Sequence, residues 1–192
     1  LLGGKAADLL LREARDFFGP NSHFWVQVSR LYIRTGVEPE LEIKTAKGYF
    51  DRGLVRSDKG DLDGAIKDFT QAIKLDPKFV AAWHNRGNAW YKKDDQAAAI
   101  SDFSRAIELD PKSVFAIIGR GAARTAKGDL DGAIEDYNQA LALDPMFVSI
   151  WLNRGMARKL KGDLDGAISD FTRALEMDPK LKVALNQRGM VR

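Results

Sequence analysis

Few side chains in this 192-residue chain have the types and the spacing that enzymes use for catalysis. The chain has no cysteine, which excludes a thiol nucleophile, a disulfide and a cysteine zinc site. Its two histidines are far apart: His84 has no serine near it in sequence, and His23 stands beside Phe24 and Trp25, as a helix-start or packing residue would. There is no HExxH motif, and GGKA at 3–6 lacks the spacing and the hydroxyl group of a phosphate loop. We therefore predict that this chain is not an enzyme and that it holds no metal and no cofactor.

Pairs of aspartates separated by one residue are the remaining arrangement that could serve acid–base or metal chemistry. Each pair lies in the same seven-residue sequence, GDLDGAI, which occurs three times. At the start of a helix, a carboxylate accepts hydrogen bonds from free backbone N–H groups and complements the helix dipole. We therefore interpret the pairs as helix-start residues. They are Asp61 with Asp63, Asp129 with Asp131, and Asp163 with Asp165.

The charged residues are numerous but interleaved. The 30 lysines and arginines exceed the 27 aspartates and glutamates by three, and no run of five like charges occurs. Nucleic acids and anionic membranes attract clustered basic residues, so neither is an expected partner. No stretch approaches the roughly 18 uninterrupted apolar residues of a membrane span. We expect no membrane insertion and a cytoplasmic location, with the periplasm as the alternative.

The elements that must position these residues repeat with a period of 34 residues. Asp-Pro occurs at 76–77, 110–111, 144–145 and 178–179, and every interval is 34. Within each period, apolar residues follow helical spacing twice, around a Gly-Asp turn. The period predicts four helix-turn-helix units and the first helix of a truncated fifth. The units are 46–79, 80–113, 114–147 and 148–181, followed by 182–192.

Each unit carries small and large apolar residues at fixed places. In the first helix, a large residue is followed four residues later by glycine, as in Trp83 and Gly87. In the second helix, an aromatic residue lies between two alanines, as in Ala99, Phe103 and Ala106. A glycine lets two helix backbones approach closely, and the small, aromatic and small residues on one face form a socket for a neighbouring helix.

This pattern, at its 34-residue period, closely resembles the tetratricopeptide repeat family over residues 46–192. The resemblance implies an all-α fold in which helix-turn-helix repeats stack as a right-handed superhelical solenoid. It also implies that the first helices line a concave groove. Stacking is expected on physical grounds as well, because one helix pair cannot bury its apolar face alone.

Residues 1–45 carry a faint copy of the same spacing. We interpret them as a degenerate partial repeat, with a second helix that includes Ala7 and Ala14 and a first helix that includes Trp25. The following partner helix is too short, which predicts a break in superhelical stacking near 36–45. Both ends of the chain fall inside a repeat, so we expect a fragment of a longer array.

Arginine and aspartate recur at places where the family usually has apolar residues. An arginine precedes the glycine of every first helix, and an aspartate precedes the aromatic residue of every second helix. Half-buried guanidinium groups need acceptors, so we predict a structural ladder of Arg-Asp ion pairs, in which Arg86 pairs with Asp102 or with Asp68 of the previous unit. The alternative is an anion-binding arginine stripe, which needs donors that converge on solvent. The ladder residues are Arg52, Arg86, Arg120, Arg154, Arg188, Asp68, Asp102, Asp136 and Asp170.

The resemblance implies that fixed places of each first helix form the floor of the groove. Among them, Asn85, Asn153 and Gln187 resemble the amides by which family members hold a peptide backbone, although asparagine is also the family's common residue there. The carboxylate clamp of chaperone-binding members is not expected, because apolar residues or glycine fill four of its five places. The predicted peptide-binding residues are Phe50, His84, Asn85, Asn88, Phe115, Ile118, Leu152, Asn153, Met156, Leu160, Gln187 and Met190.

Apolar residues replace the clamp toward the C-terminal half of the groove. Exposed apolar patches usually mark interfaces, and methionine suits adaptable ones. The sequence therefore predicts a non-catalytic scaffold that binds a peptide or helix of a partner protein. The alternative is a self-associating or accessory array, which oligomerises through its groove or last helix or positions an enzyme domain outside this chain. The predicted patch consists of Phe115, Ile118, Ala122, Leu152, Met156, Leu160, Val183 and Met190.

The second unit differs from the others at its turn, where Asp94 stands in place of glycine. Asp94 must therefore adopt a left-handed backbone, which aspartate tolerates at some cost. We expect Asp94→Gly to raise the melting temperature slightly in a thermal-denaturation measurement. A lower melting temperature would show that the backbone at this residue is not left-handed.

Overall fold

The computed structural model describes residues 45–191, and every regular element in this range is an α-helix. The degenerate helices expected in 1–45, and all but the last residue of the stacking break expected near 36–45, lie outside the described residues. No described helix has the length and apolarity needed to cross a bilayer. The helices are α1 (Ala46–Asp58), α2 (Leu62–Leu75), α3 (Val80–Lys92), α4 (Gln96–Leu109), α5 (Val114–Lys127), α6 (Leu130–Leu143), α7 (Val148–Lys161), α8 (Leu164–Met177) and α9 (Lys182–Val191).

The second helix of each repeat begins at an aspartate cap. The side chain of Asp61 accepts a hydrogen bond from the backbone N–H of Gly64 at 2.9 Å, and that of Asp95 accepts one from Ala98 at 3.0 Å. The same contact at the starts of α6 and α8 measures 3.1 and 3.0 Å. Each cap satisfies an N–H group that the first helical turn leaves without a partner.

The turn between the two helices of a repeat passes through one left-handed residue. Gly60, Gly128 and Gly162 have φ angles of 83, 89 and 88°. Asp94 has a φ of 64° and is the only non-glycine residue with a positive φ within 45–191, as the sequence predicts. Its carboxylate accepts a hydrogen bond from the side-chain amide of Gln96 at 2.8 Å on the surface. Glycine at 94 would relieve strain of about 1 kcal/mol and lose this weak exposed bond, so the net gain is small.

The Asp-Pro steps form the turn from one repeat to the next. Asp76 Oδ1 accepts a hydrogen bond from the backbone N–H of Lys78 at 3.0 Å, and the three later steps repeat this contact at 3.0 to 3.1 Å. Proline disfavours helix at the residue before it, so the second helix ends here. The indole N–H of Trp83 then donates to the Pro77 carbonyl at 3.0 Å, and Trp151 makes the same bond at 2.9 Å. These bonds join the start of a first helix to the turn that precedes it.

The core of each repeat is an aromatic ring that lies against a glycine. Phe69, Phe103, Tyr137 and Phe171 are at most 1% exposed. A Cβ atom added to the glycine of the facing first helix would lie 2.6 to 3.0 Å from a ring carbon in all four repeats. Because carbon atoms do not approach so closely, only glycine allows this helix spacing. The glycines are Gly53, Gly87, Gly121 and Gly155.

The repeats stack so that their first helices form one continuous layer. The first helices α3, α5 and α7 each pack against the second helix of their own repeat and against that of the repeat before it, whereas α1 packs against α2 and α9 against α8. The first helices also contact one another in succession, from α1 to α3, α5, α7 and α9, whereas successive second helices within 45–191 have few or no such contacts. The array therefore curves with the first helices on its inner side.

The interface glycines provide a matched pair of substitutions. We expect Gly155→Ala to lower the free energy of unfolding by about 1 to 3 kcal/mol, because the new methyl group would overlap the Phe171 ring. Gly189 holds the same place in α9, yet apart from the backbone of its own helix no neighbouring atom lies within 4 Å of an added Cβ. Gly189→Ala should therefore leave stability unchanged or raise it by up to about 1 kcal/mol, through helix propensity alone. Urea denaturation of the full chain measures both, and equal effects would contradict the socket.

Candidate functional site

Four aspartate side chains are buried at the same place in successive second helices. Asp68, Asp102, Asp136 and Asp170 are 1 to 3% exposed, and each precedes the aromatic ring of its repeat. An ionised carboxylate in such a place is stable only when donors surround it. The structure therefore has to provide those donors from neighbouring helices.

The first helix of the same repeat provides two donors through one arginine. Arg86 donates through Nε and Nη2 to the two carboxylate oxygens of Asp102, both at 2.7 Å. Equivalent two-pronged contacts, with shortest distances of 2.5 to 2.6 Å, are made in the other three repeats. This fork geometry is the strongest that arginine and carboxylate can adopt. The further pairs are Arg52 with Asp68, Arg120 with Asp136, and Arg154 with Asp170.

The same arginines also reach the preceding repeat, although not its aspartate. The remaining guanidinium nitrogen of Arg86 donates to the Thr70 hydroxyl at 3.0 Å. Arg154 donates in the same way to Asn138, at 2.6 Å, and Arg120 has a longer contact with Ser104, at 3.5 Å. Sequence reasoning missed these acceptors. The signal was a short polar residue two places after every buried aspartate.

Three of the four carboxylates bond a second arginine, which lies one turn further along the first helix. Arg56, Arg124 and Arg158 approach Asp68, Asp136 and Asp170 at 2.9 to 3.0 Å. In the second repeat this place holds Trp90, so Asp102 bonds Arg86 alone among the described arginines. Burial raises the pKa of Asp102, and the hydrogen bond and charge of Arg86 only partly oppose it.

The guanidinium groups do not converge on solvent. Arg86 and Arg154 stack over the rings of Trp83 and Trp151, each 4.9 Å from the ring centre, while their N–H groups point to the aspartates. An anion-binding stripe would need free donors, so this geometry favours a structural role. Arg188, in the last described helix, has no carboxylate partner among residues 45–191.

The two aspartates of a helix-start pair make different contacts. Asp61 caps α2, whereas Asp63 forms an ion pair with Lys93 of the next repeat, which lowers the Asp63 pKa. Asp131 pairs with Lys161 in the same way. Among the described residues, no three histidine, aspartate or glutamate side chains are grouped so as to hold a metal ion.

The apolar residues predicted for the groove differ in exposure. Phe115, Leu160 and Met190 are 63, 61 and 70% exposed.

Other residues predicted for the groove are half-buried and also contribute to packing. Ile118 contacts the core around Ile117 and Tyr137, and Leu152 contacts the core around Ala174 and Leu175. Phe50 lies between the rings of Phe69 and Phe79, with ring centres 5.7 and 4.8 Å apart. Glutamate at Leu152 would therefore lower stability, because it would place a charge against the core around Ala174 and Leu175. Met156 is half-buried, and Val183 is half-exposed.

The amides predicted to hold a peptide backbone are partly engaged within the protein. Asn85 donates from its side chain to the carbonyl of Ala81 at 2.8 Å, which leaves its oxygen and one N–H group for a ligand. Gln187 accepts a hydrogen bond from Lys159 at 2.9 Å. Asn153 is half-buried, and its side chain has no hydrogen-bond partner among residues 45–191.

Gly119 interrupts this row of amides in the third repeat. It holds the place of Asn85 and Asn153, and an added Cβ would lie 2.7 Å from the Phe103 ring. An asparagine cannot fit there without moving the ring. At this place the third repeat therefore presents only backbone, whereas the second and fourth repeats present a side-chain amide.

His84 and Asn88 form a polar pair on the first-helix layer. The side-chain nitrogen of Asn88 lies 2.8 Å from Nε2 of His84. The imidazole meets the rings of Phe103 and Phe115 edge to face, with ring centres 5.8 and 6.5 Å apart. Burial lowers the pKa of His84, so the imidazole is neutral at physiological pH.

Comparisons with protein-family models match most of the described chain. A model described as tetratricopeptide repeat matches residues 50–114, another with the same description matches 148–181, and a TPR repeat model matches 121–162. The chain belongs to the tetratricopeptide repeat (TPR) family. The family and the all-α solenoid predicted from the sequence are thereby confirmed. A search of curated proteins finds no match.

Solved structures of TPR proteins resemble this TPR chain. YrrB, described as a TPR protein with an unusual peptide-binding site, has a TM-score of 0.74 at 19% identity, over 93% of this chain and 97% of its own. MamA has a TM-score of 0.72 at 25% identity, over 77% of this chain and 81% of its own. The first TPR domain of Spaghetti (RPAP3), bound to the HSP90 peptide SRMEEVD, has a TM-score of 0.59 at 29% identity, over 64% of this chain and 94% of its own.

Asp136 bonds two arginines, whereas Asp102 bonds one. We therefore expect the loss of either carboxylate to change the free energy of unfolding by a different amount. Asp136→Asn leaves two arginines facing a neutral amide, and we expect the free energy of unfolding to fall by about 3 kcal/mol. Asp102→Asn removes a charge that burial already disfavours, and we expect a loss of about 1 kcal/mol or less. Chemical denaturation at pH 7 measures both, and an equal loss would contradict the assigned difference.

The pH dependence provides a second measurement on the same two variants. Because its pKa is raised, Asp102 binds its proton more tightly in the folded than in the unfolded chain. Its contribution to stability is therefore fully present at acidic pH and is lost as the pH rises through the folded pKa. Asp102→Asn should remove this decline in stability with rising pH, whereas Asp136→Asn should retain it.

Proposed function

We propose that this TPR chain is a non-catalytic scaffold that binds a segment of a partner protein on its concave layer of first helices. The observation that carries the proposal is the exposure of large apolar side chains on that layer. Phe115, Leu160 and Met190 are each more than 60% exposed there, although a soluble domain gains free energy by burying such residues. The arginines that could attract an anionic partner are instead bonded within the array.

Peptide complexes of similar TPR domains support this proposal. The first TPR domain of Spaghetti is bound to an HSP90 peptide, and the second TPR domain of human RPAP3, 28% identical with a TM-score of 0.55, is in complex with the HSP70 peptide SGPTIEEVD. Both peptides end in EEVD, which has three acidic side chains. In this chain, Phe50 and Phe115 occupy two of the places that clamp such a terminus, so we propose a different, apolar segment as the ligand.

Self-association is a second candidate, which the surface of α9 favours. Val183, Leu185 and Met190 are 50, 43 and 70% exposed on this ten-residue helix. Leu185 holds the place that Trp83 and Trp151 hold in other repeats, where the ring is half-buried. A second copy of the chain would remove this apolar area from water.

Selection of peptides from a random 12-residue library on the immobilised full chain tests the first candidate. Fluorescence anisotropy then measures the affinity of a selected peptide for matched variants. We expect Phe115→Glu and Leu160→Glu to weaken binding at least about tenfold, because each removes apolar contact area and introduces a charge. Met146 is 68% exposed and lies in an Asp-Pro turn, not in a first helix, so Met146→Glu should change the affinity by less than about twofold.

The outcomes separate the two candidates. Equal losses in all three variants, or no loss in any, would contradict binding on the first-helix layer. Sedimentation equilibrium on the same samples reports self-association. A dimer that Met190→Glu disperses, and with which the selected peptide competes, would favour the second candidate.

A further inference from the structure

The His84–Asn88 pair determines which imidazole nitrogen carries the proton. The amide nitrogen of Asn88 lies 2.8 Å from Nε2, and an amide nitrogen donates hydrogen bonds but does not accept them. Nε2 therefore accepts, and in a neutral imidazole the proton then lies on Nδ1. Burial, which lowers the pKa of His84, keeps the ring in this neutral form.

The Nδ1–H group of His84 has no hydrogen-bond partner among the described residues, and it is accessible to solvent. Within 45–191, Gln96 Oε1 is the only buried side-chain polar atom without a hydrogen bond, so Nδ1 meets solvent. The half-buried ring thus presents one neutral donor on the first-helix layer. Asn88 occupies the other nitrogen and holds the ring in place.

The ring of Phe115 provides an exposed apolar surface beside this donor. Its ring lies edge to face against His84, at 6.5 Å between ring centres, and against Phe147, at 5.7 Å. Contacts on both sides restrain the ring although it is 63% exposed. A restrained and exposed aromatic residue loses little conformational entropy on binding, which is typical of an interface anchor.

We propose that His84 donates from Nδ1 to a backbone carbonyl of the bound segment, and that an uncharged aromatic residue of that segment lies against Phe115. This inference rests on the proposed function and names the chemistry of its central subsite. A neutral donor pairs with a carbonyl without a charge to compensate, whereas a carboxylate would lose its hydration against the Phe115 ring. Asn88 is a positioning residue, because it acts through His84.

Nitrogen-15 NMR of the full chain, labelled at histidine, tests the tautomer without a ligand. We expect the His84 ring to be protonated at Nδ1, with His84→Gln used to assign its signals against those of His23. In Asn88→Asp the carboxylate would accept from Nε2, so the proton should move to that nitrogen. A wild-type ring protonated at Nε2 would overturn the proposal.

Titration with N-acetylphenylalanine amide tests the ligand chemistry, because this probe offers one aromatic side chain between two uncharged amides. We expect saturable shifts of the His84 Nδ1 and Phe115 ring signals. Asn88→Asp should weaken this binding about fivefold, the equivalent of one neutral hydrogen bond, and Phe115→Ala should abolish saturation. The control Met146→Ala should bind as the wild type does.

The titration distinguishes failure of this inference from failure of the proposed function. Shifts confined to other residues, or equal binding by wild type and Asn88→Asp, would overturn the subsite. If library-selected peptides still depended on Leu160 in that case, binding on the first-helix layer would stand without this subsite. If the selected peptides were indifferent to the whole layer, the proposed function itself would fail.

Discussion

A buried carboxylate in every second helix is the constraint around which these repeats are built. An aspartate such as Asp136 is nearly inaccessible to water, and its charge is tolerable only because Arg120 and Arg124 of the paired first helix bond it. The ion pair therefore holds the two helices of a repeat in one register. The same guanidinium groups extend to polar side chains of the preceding repeat, as Arg86 does to Thr70, so one interaction links both levels of the array. Seven of the chain's 30 basic residues bond a buried aspartate in this way.

The second repeat departs from the others in several respects. Its turn passes through the left-handed Asp94, its buried Asp102 bonds one arginine where the other carboxylates bond two, and Gln96 holds a buried oxygen without a partner. Asp94 adds backbone strain at the turn, Asp102 lacks the second arginine, and Gln96 stands where the other repeats have leucine. The first helix of this repeat also carries His84 and Asn88, whose polar pair has no counterpart in the other described repeats. Departures from the repeat pattern therefore coincide with the polar chemistry of the concave layer.

The two sides of the first helices differ in how tightly their side chains are packed. Toward the second helices, glycine, alanine and aromatic residues meet at distances that allow no larger side chain. On the opposite side, Phe115 is restrained by ring contacts, while Met190 and Leu160 stand in solvent. A stiff scaffold that presents a few apolar side chains binds at a lower entropic cost than a flexible surface does.

The sequence by itself determined the features that depend on local spacing. The 34-residue period, the aspartate caps and the left-handed turn all follow from residue types and their spacing along the chain. Tertiary structure decided which partners meet across helices. Arg86 could reach Asp102 of its own repeat or Asp68 of the previous one, and only the distance between packed helices selects Asp102. It also decided that Leu152 contacts the core while Leu160 is exposed, because helical periodicity assigns a residue to a face but the next repeat determines how much of that face is covered.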